Sequence, residues 1–164
     1  MKIELKKIDK SFGIYSTSEI LKDEIIFKVE RIKIIENPTR YSLQIDVGKH
    51  VEVHEKIEIS DNLDSLWQYM NHACEPNCYF KTEDMTFRAK HKIAEEEHLT
   101  FNYLTTEYDM AAPFKCDCKS ENCFGFIKGF KYLNVEQKLK LINSCAKHLK
   151  KINEKSVVGC RLSV

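Results

Sequence analysis

Three cysteines within eight residues constrain this chain more than any other feature of its sequence. Cys116, Cys118 and Cys123 have the spacing C-x-C-x4-C, and charged residues lie between them. That is a poor setting for small buried apolar side chains, which is the alternative interpretation of three cysteines. Zinc bound by sulfur takes four ligands in a tetrahedron. The spacing therefore predicts a zinc site whose fourth ligand, a further cysteine or a histidine, comes from elsewhere in the chain.

The cysteine content as a whole argues against a framework of disulfides. Seven cysteines is an odd number, and Met1 to Lys10 is charged throughout, without the apolar segment of a Sec signal peptide. We therefore expect a cytoplasmic protein, although secretion as an effector by a non-Sec route leaves no readable mark. No stretch approaches the roughly 20 apolar residues of a membrane helix, so we expect no membrane association.

Charge is divided unevenly along the 164 residues, a length that fits one domain with at most a small appendage. Residues 1–114 hold 15 basic and 21 acidic side chains, whereas residues 115–164 hold 11 basic and 4 acidic ones. The acidic part is either a surface that attracts a basic partner or simply a solvated face. The sequence pI of about 7.6 argues against dedicated nucleic-acid binding, because such domains usually exceed a pI of about 9.

The first hundred residues predict many short strands and little helix. Apolar and polar residues alternate along most of residues 1–103, as in half-buried strands. Residues 24–35 predict one longer strand or two short ones, residues 78–92 a hairpin, and residues 98–103 a strand that ends in Tyr103. A single short helix is predicted near 62–70, with Asp61 or Asn62 as its N-cap.

The C-terminal segment has a helical pattern instead. Apolar residues recur at helical spacing from Val135 to Leu149, and Asn134 and Gln137 are in capping-box register. We therefore predict one amphipathic α-helix with a basic outer face and an apolar stripe that packs on the body of the protein.

Two polar segments carry the remaining chemical signals. One is Asn71-His72-Ala73-Cys74-Glu75-Pro76-Asn77, directly after the predicted short helix, and the other is Leu99-Thr100-Phe101-Asn102-Tyr103. From the residues alone, His72 is a general base, a metal ligand or a satisfied polar group. Tyr103 alone is typical of a core aromatic whose hydroxyl reaches water.

Together these segments resemble the SET-domain family of protein lysine methyltransferases. The family pattern N-H-S-C-x-P-N matches residues 71–77, E-L-T-F-D-Y matches residues 98–103, and the post-SET C-x-C-x4-C matches residues 116–123. The amino-terminal G-x-G is present in weakened form as Ser11-Phe12-Gly13. All four motifs occur in the family's order, and the likeness spans about residues 11–133, as in small single-domain members.

The resemblance implies a fold and a division of the chain. The fold is mostly β and β-clip-like, made of short sheets with a knot-like threading, a short helix near 62–70, a zinc-bound post-SET segment and a C-terminal α-helix. The implied boundaries are 1–110 for the SET domain, 111–133 for the post-SET segment and 134–164 for the helical extension. Cys74 becomes the fourth ligand of one structural zinc ion, beside Cys116, Cys118 and Cys123. Cys78, Cys145 and Cys160 are then expected to be free thiols.

The resemblance also implies roles for single residues. S-adenosylmethionine would contact backbone at Phe12 and Gly13, the ring of Tyr69, the side chain of Asn71 and the backbone of His72. Tyr103 would be the catalytic tyrosine. Phe101 would leave space beside the target nitrogen and so allow more than one methylation. The post-SET aromatics, which could close over cofactor or target lysine, are Phe114, Phe124 and Phe126.

Several residues depart from the family pattern. Ser11 replaces the first glycine of the cofactor loop, so the backbone angle of that loop is in question. Glu96 and Lys119 also replace glycines of the family pattern. Asn102 replaces an aspartate and removes a charge beside Tyr103. The remaining departures are Ala73 for serine and Phe124 for arginine.

The function implied is S-adenosylmethionine-dependent methylation of a lysine in a protein, within a basic segment of that substrate. The alternatives are a non-catalytic zinc-containing module that binds basic protein tails and a degenerate member kept as an interaction scaffold. Retention of Tyr103, Asn71 and His72 together favours the enzyme. The sequence identifies neither the substrate nor the oligomeric state.

Overall fold

Short strands in small sheets dominate the computed structural model, which describes residues 2–8, 11–54 and 63–161. This confirms the mostly-β fold class. The strands are β1 Ile3–Ile8, β2 Ser11–Ser16, β3 Ile25–Lys28, β4 Ile32–Ile35, β5 Leu43–Asp46, β6 Lys49–Val53, β7 Asn71–His72, β8 Cys78–Lys81, β9 Thr86–Ala89, β10 His98–Phe101, β11 Phe114–Lys115 and β12 Phe126–Ile127. The helices are α1 Val135–Leu141 and α2 Lys147–Arg161, with 3-10 segments at Leu63–Tyr69, Tyr103–Thr105, Phe130–Tyr132 and Ile142–Ser144.

One sheet, in the order β1-β2-β10-β7, brings the polar motifs together. Strand β10 runs antiparallel to β2, with Leu99 opposite Ile14. On its other side β10 runs parallel to β7, with Phe101 opposite His72. Residues 71–72 therefore lie beside the end of β10, although about thirty positions separate them in sequence.

The other larger sheets are built on hairpins. Strands β8 and β9 form the predicted hairpin within residues 78–92, and β3 pairs with β9. Strands β5 and β6 form a second hairpin, which β4 joins. Residues 24–35 are thus two short strands in two different sheets, which was one of the two alternatives.

The core lies where the inward faces of these strands meet. Ile14, Leu99, Phe87 and Ala89 are fully buried. In β10 the buried Leu99 alternates with more exposed neighbours, and in β9 the half-buried Arg88 separates Phe87 from Ala89, in keeping with a period of two. The Phe87 ring contacts Phe101 at a centroid distance of 4.9 Å, so the core reaches directly to the motif at the end of β10.

The prediction that a strand ends in Tyr103 was wrong. Strand β10 ends at Phe101, and Tyr103 begins a 3-10 turn. Asn102 causes this change, because its side-chain oxygen accepts the Leu104 N–H at 3.0 Å and caps the turn. A side chain that bonds its own downstream backbone competes with continuation of the strand.

The prediction of one C-terminal helix was also wrong. The capping box between Asn134 and Gln137 is present and begins α1, but the chain turns after Leu141 and α2 starts only at Lys147. The turn lets the Ala146 N–H donate to the Thr105 carbonyl at 2.8 Å.

This break decides which part of the apolar stripe is buried. Leu149 in α2 is fully buried, whereas Val135 and Leu139 in α1 are 76% and 67% exposed. The stripe therefore packs on the body from Ile142 onward, through Ala146 and Leu149, whereas its α1 residues Val135 and Leu139 remain exposed.

Several predictions from the sequence are not tested by the residues that the structure describes. The proposed N-caps Asp61 and Asn62, and the side chain of Cys160, lie outside the described residues. The three domain boundaries and the knot-like threading stay predictions. Within the described residues, no helix is long and apolar enough to cross a membrane.

Of the three residues that stand where the family pattern has glycine, two have the left-handed backbone conformation that glycine favours. Glu96 has a φ of 61° and Lys119 a φ of 59°, both in the left-handed region. That region costs a residue with a Cβ about 1–2 kcal/mol. Ser11, in contrast, lies in β2 as part of an ordinary pairing with Ile8, so its replacement of glycine creates no such strain.

We predict that Glu96→Gly stabilises the fold. Glu96 is exposed, so relief of the left-handed strain should outweigh the greater freedom of glycine in the unfolded chain, with a net gain of about 0.5–1 kcal/mol in the free energy of unfolding. Denaturant unfolding measures this. The control is Glu95→Gly at the exposed neighbouring position without a positive φ, which should lose stability. Equal loss in both variants would contradict the strain argument.

Candidate active site and metal centre

The residues proposed to hold a cofactor converge at one end of the four-stranded sheet. The Asn71 side-chain nitrogen donates to the Phe12 carbonyl at 2.9 Å, and the rings of Phe12 and Tyr69 meet edge to face at 5.6 Å. Gly13 follows in β2, opposite Lys6 of β1. The structure therefore brings Phe12, Gly13, Tyr69 and Asn71 together.

His98 belongs to the same region, although sequence reasoning did not single it out. Its Nε2 lies 3.3 Å from the Asn71 side-chain nitrogen, and its ring stacks on Tyr15 at 4.8 Å. Burial lowers the pKa of His98, so the ring is neutral near pH 7 and Nε2 can accept the Asn71 proton. Only the pairing of β10 with β2 and β7 makes this contact visible.

Tyr103 lies in an aromatic cluster made by distant parts of the chain. Its ring centroid is 4.8 Å from Phe101, 5.2 Å from His72 and 6.0 Å from Phe114. Phe101 contacts Tyr103 although Tyr103 has left the strand. Phe114 is thus the post-SET aromatic that reaches the cluster.

The Tyr103 hydroxyl is held in one orientation. It donates to the Met70 carbonyl at 2.7 Å, which leaves the oxygen lone pairs free for another group. Burial raises the pKa of the Tyr103 phenol, so Tyr103 stays protonated and neutral over the physiological pH range.

The two nitrogens of His72 have different partners. Nδ1 accepts the Tyr103 backbone N–H at 3.1 Å, so in the neutral ring the proton is on Nε2. Nε2 lies 3.3 Å from Cys74 Sγ and can donate to that sulfur. Burial lowers the pKa of His72 to about 4, which keeps the ring neutral. His72 is therefore a satisfied polar group that connects Tyr103 to the cysteines.

Four cysteines form one compact cluster. The sulfur atoms of Cys74, Cys116, Cys118 and Cys123 all lie within 4.8 Å of one another. Cys74 Sγ is 3.8 Å from Cys116 Sγ and 3.9 Å from Cys123 Sγ, far longer than the roughly 2 Å of a disulfide.

This geometry fits a zinc ion. A tetrahedron with Zn–S bonds of about 2.3 Å has sulfur–sulfur edges of about 3.8 Å, close to the distances from Cys74 Sγ to Cys116 Sγ and Cys123 Sγ. Backbone N–H groups of Phe124 and Gly125 donate to Cys74 Sγ and Cys123 Sγ, as outer partners of metal-bound thiolates do. Cys78, in contrast, donates to the Asn77 side chain, away from the cluster.

The thiols titrate at different pH values. Burial raises the pKa of Cys74 and raises that of Cys116 to about 11. Burial also acts on Cys118, but backbone and thiol hydrogen bonds outweigh it and lower the Cys118 pKa to about 7. A metal ion must displace the protons of Cys74 and Cys116, so metal binding at this cluster weakens as the pH falls.

Two buried asparagines connect the motif segments. Asn77 donates from its side chain to the His98 carbonyl at 2.9 Å and accepts the Thr100 N–H at 2.9 Å. Asn102 donates to the Cys74 carbonyl at 3.1 Å, a bond that an ionised aspartate could not donate. The asparagine departure therefore removes a charge and adds a bond to the cysteine segment.

Glu107, whose carboxyl is buried, connects the backbone behind Tyr103 to Gln44 of β5. The Glu107 N–H donates to the Tyr103 carbonyl at 2.8 Å, and Glu107 Oε1 accepts the Gln44 N–H at 2.8 Å. The Gln44 side chain in turn accepts the Tyr108 N–H at 2.7 Å. Burial raises the pKa of Glu107 to about 7. Sequence reasoning missed this contact because its partners are 63 and 64 positions apart.

The two other post-SET aromatics lie elsewhere. Phe124 is half-buried and packs beside the cysteines. Phe126 is 53% exposed, with the Lys128 ammonium 5.2 Å from its ring centroid. Neither is among the ring contacts of Tyr103 in the described structure.

Comparison with known proteins finds similarity over the region that carries these motifs. A profile of the SET domain matches residues 11–104. Methyltransferase flvH of Aspergillus flavus is 40% identical over 63 residues, which cover 37% of this chain and 35% of that protein. The H3 lysine-36 specific histone-lysine N-methyltransferase of Gibberella zeae is 32% identical over 140 residues, covering 76% of this chain and 15% of that protein. The chain thus spans about a third or less of the length of these curated relatives.

A solved structure gives the same fold. The crystal structure of KRYPTONITE in complex with mCHH DNA, an H3(1–15) peptide and SAH aligns with a TM-score of 0.54 at 17% identity. The alignment covers 76% of this chain and 29% of that one.

We predict that the purified protein contains one zinc ion bound by the four-cysteine cluster. Serine substitution of Cys74, Cys116, Cys118 or Cys123 should each abolish stoichiometric zinc, because a site without one thiolate no longer completes the tetrahedron. Elemental analysis measures the metal content. The matched control is Cys78→Ser, which should retain zinc although Cys78 is close to Cys74 in sequence. Zinc loss in Cys78→Ser together with retention in Cys74→Ser would contradict the assignment.

Proposed function

The chain belongs to the SET-domain family, and on that premise we propose that it transfers a methyl group from S-adenosylmethionine to the side-chain amine of a lysine in a protein. The position of Tyr103 carries the proposal. Its ring lies among Phe101, His72 and Phe114, and its hydroxyl is held by the Met70 carbonyl. A module that only binds protein tails has no need of a hydroxyl held in this way.

The cofactor site would be made by Phe12, Gly13, Tyr69, Asn71 and His72. S-adenosylmethionine supplies a methyl group on a positively charged sulfur. The contact between Asn71 and the Phe12 carbonyl holds the two segments of this site in a fixed relation. A bound ligand therefore finds its polar partners already placed, which lowers the cost of binding.

The aromatic cluster suits a lysine that must lose its proton. An unperturbed lysine has a pKa near 10.4 and is mostly protonated at neutral pH. Phe101, Phe114 and the neutral ring of Tyr103 offer little solvation to an ammonium ion, so its pKa falls inside such a site. A neighbouring positive charge on the cofactor lowers that pKa further, since like charges repel.

The role proposed for Tyr103 is orientation. Its hydroxyl proton is engaged by Met70, and its raised pKa makes a tyrosinate base unavailable near pH 7. The free lone pairs of the oxygen can accept a weak C–H···O contact from the transferring methyl and help align the amine. This requires a neutral and fixed hydroxyl, which is what the burial and the Met70 contact provide.

A structural zinc ion would fix the segment that supplies Phe114. The four cysteines join residue 74 to residues 116–123, and Phe114 lies two residues before Cys116. Zinc would hold this connection and take no part in the transfer.

The proposed substrate is a protein that presents a lysine within a basic segment. The excess of acidic residues in positions 1–114 supports a basic partner through electrostatic attraction. Relatives whose names specify H3 lysine 36 support a protein substrate of this kind. We propose no particular lysine or substrate protein.

The proposal is tested by incubating zinc-loaded protein with labelled S-adenosylmethionine and a panel of basic proteins. Transfer of label to lysine is the expected result. A folded, zinc-loaded protein that binds basic tails, transfers no label and does not bind S-adenosylhomocysteine would favour the alternative of a non-catalytic interaction module.

We predict that Tyr103→Phe lowers the rate of methyl transfer by about a hundredfold or more, with little change in affinity for S-adenosylhomocysteine. The ring and its packing remain, and only the hydroxyl that orients the reaction is lost, so the effect falls on the transition state. Transfer kinetics and calorimetry measure the two quantities. The control is Tyr79→Phe, which removes a hydroxyl bonded to Asp23 in an exposed setting and should leave the rate unchanged. Full activity in Tyr103→Phe would contradict the assignment.

We predict that the wild type adds more than one methyl group and that Phe101→Tyr shifts the product toward monomethyl-lysine. Phe101 is buried between Phe87 and Tyr103, so an added hydroxyl would occupy space near the target nitrogen. Mass spectrometry of a methylated substrate resolves the products. If the wild type gives only monomethyl-lysine at long times with excess cofactor, the argument from Phe101 is wrong.

A further inference from the structure

A separate cavity of about 500 Å³ lies between the β8–β9 hairpin, the segment after Tyr103 and the start of α2. Its lining includes none of Phe101, Tyr103 and Phe114, the aromatic residues of the candidate active site. Its volume falls within the roughly 300–1,000 Å³ of sites that bind small molecules. The methyl-transfer proposal assigns no role to this cavity.

The charged lining of the cavity is mostly cationic. Lys81, Lys90, Lys147 and Lys150 contribute to it, and Glu83 is the one carboxylate among its described lining residues. Two elements that are remote in sequence provide the lysines: Lys81 ends β8 and Lys90 follows β9, whereas Lys147 and Lys150 belong to α2. The fold thus concentrates positive charge in a concave place.

The carboxylates nearby leave much of this charge unbalanced. Glu83 pairs with Lys147 at 3.0 Å, and Asp84 lies 3.4 Å from Lys81. Lys150 donates to the Asn143 carbonyl, which carries no net charge. Lys90 has no carboxylate within ion-pair distance among the described residues, but the Glu75 carboxylate, which accepts bonds from Ser120 and Asn122, is close enough to interact with its charge. Exposed pairs such as Lys147–Glu83 are weak, so an anion with more than one charge can compete with them.

The start of α2 adds donors to the same cavity. Ala146 and Lys147 line it, and α2 has 15 residues with no acidic side chain in its first turn. The Ala146 N–H is already bonded to the Thr105 carbonyl and the Leu149 N–H to the Ala146 carbonyl. Lys147 is the first residue of α2, so its N–H has no partner within the helix and can donate to an anion, and the helix dipole favours negative charge there. The hydroxyls of Thr82 and Ser144 also line the cavity and can donate to an anion.

The rest of the wall is mixed: it includes Cys74 of the cysteine cluster and the polar side chains of Asn102 and Thr105, together with apolar groups. Pro76, Phe80 and Leu141 contribute to the lining, so the cavity can hold an uncharged body beside the anionic part. Lysine ammonium groups together with helix N–H donors are a recurring way to hold phosphate groups. We propose that this cavity binds a small molecule that carries phosphate groups with at least two negative charges.

The test uses zinc-loaded full-length protein and inorganic pyrophosphate as the probe, with binding measured by calorimetry at low and at moderate salt. The expected result is saturable binding with a Kd below about 1 mM at low salt, weaker at higher salt. Amide NMR shifts should centre on residues 81–83 and 144–150. Adenosine 5′-diphosphate as a second probe tests whether the apolar wall adds affinity. Zinc content is measured before and after titration, so removal of the metal is not mistaken for binding.

Lys90→Ala and Lys150→Ala should each weaken pyrophosphate binding by about fivefold or more. The matched control is Lys140→Ala in α1, whose ammonium pairs with Glu136 outside the cavity, and it should change binding less than twofold. If Lys150→Ala disturbs the turn between α1 and α2, the affinity of Lys90→Ala for pyrophosphate decides the test. The proposal would be overturned if Lys140→Ala weakened binding equally, or if no saturable binding were found. It would also be overturned if the NMR shifts centred on Tyr103, or if the protein bound long polyanions but not pyrophosphate. None of these measurements requires methyl transfer, so they succeed or fail independently of the proposed enzyme activity.

Discussion

The arrangement of the site depends on the contact between residues 70–78 and residues 97–104. Parallel pairing of β7 with β10 aligns the two segments, and the Asn77 side chain spans them by bonding to both His98 and Thr100. These polar groups are buried, so loss of one partner leaves the other unsatisfied at a cost of about 1–3 kcal/mol. Such a contact specifies one register, and that register places Tyr103 beside Met70 and His72.

The cysteine cluster extends this contact to the carboxyl-terminal third of the chain. Cys74 lies within the first segment. Its sulfur is within hydrogen-bond distance of His72 Nε2, and His72 Nδ1 accepts the Tyr103 N–H. The same sulfur belongs to the cluster with Cys116, Cys118 and Cys123. Binding of metal and the position of the candidate catalytic tyrosine are thus connected through one neutral histidine. A variant that loses zinc is for that reason expected to disturb the active site even where it keeps Tyr103.

Three positions at which the family has glycine and this chain has another residue show that likeness in sequence does not fix the backbone angle. The resemblance placed Ser11, Glu96 and Lys119 at positions where the family has glycine, and the sequence raised the question of backbone angle only at Ser11. In the structure, Glu96 and Lys119 keep the left-handed angle whereas Ser11 is part of a strand. Only the surrounding hydrogen bonds decide this: the Glu96 N–H must reach the Ser16 carbonyl, and Ser11 instead pairs with Ile8.

The sequence pattern correctly predicted those structural features that depend only on residues close together in the chain. Alternation predicted the hairpins, the capping box predicted the start of α1, and the spacing of three cysteines predicted their cluster, because each depends on a few neighbouring side chains. The fourth sulfur, the pairing of His98 with Asn71, the bond between Gln44 and Glu107 and the lysine-lined cavity all join residues far apart in the chain. The helix break after Leu141 belongs with them, since its Ala146–Thr105 bond joins residues 41 positions apart. Sequence determined the fold class and the chemistry available, whereas tertiary structure decided which groups meet, because burial and long-range hydrogen bonds outweigh local preference.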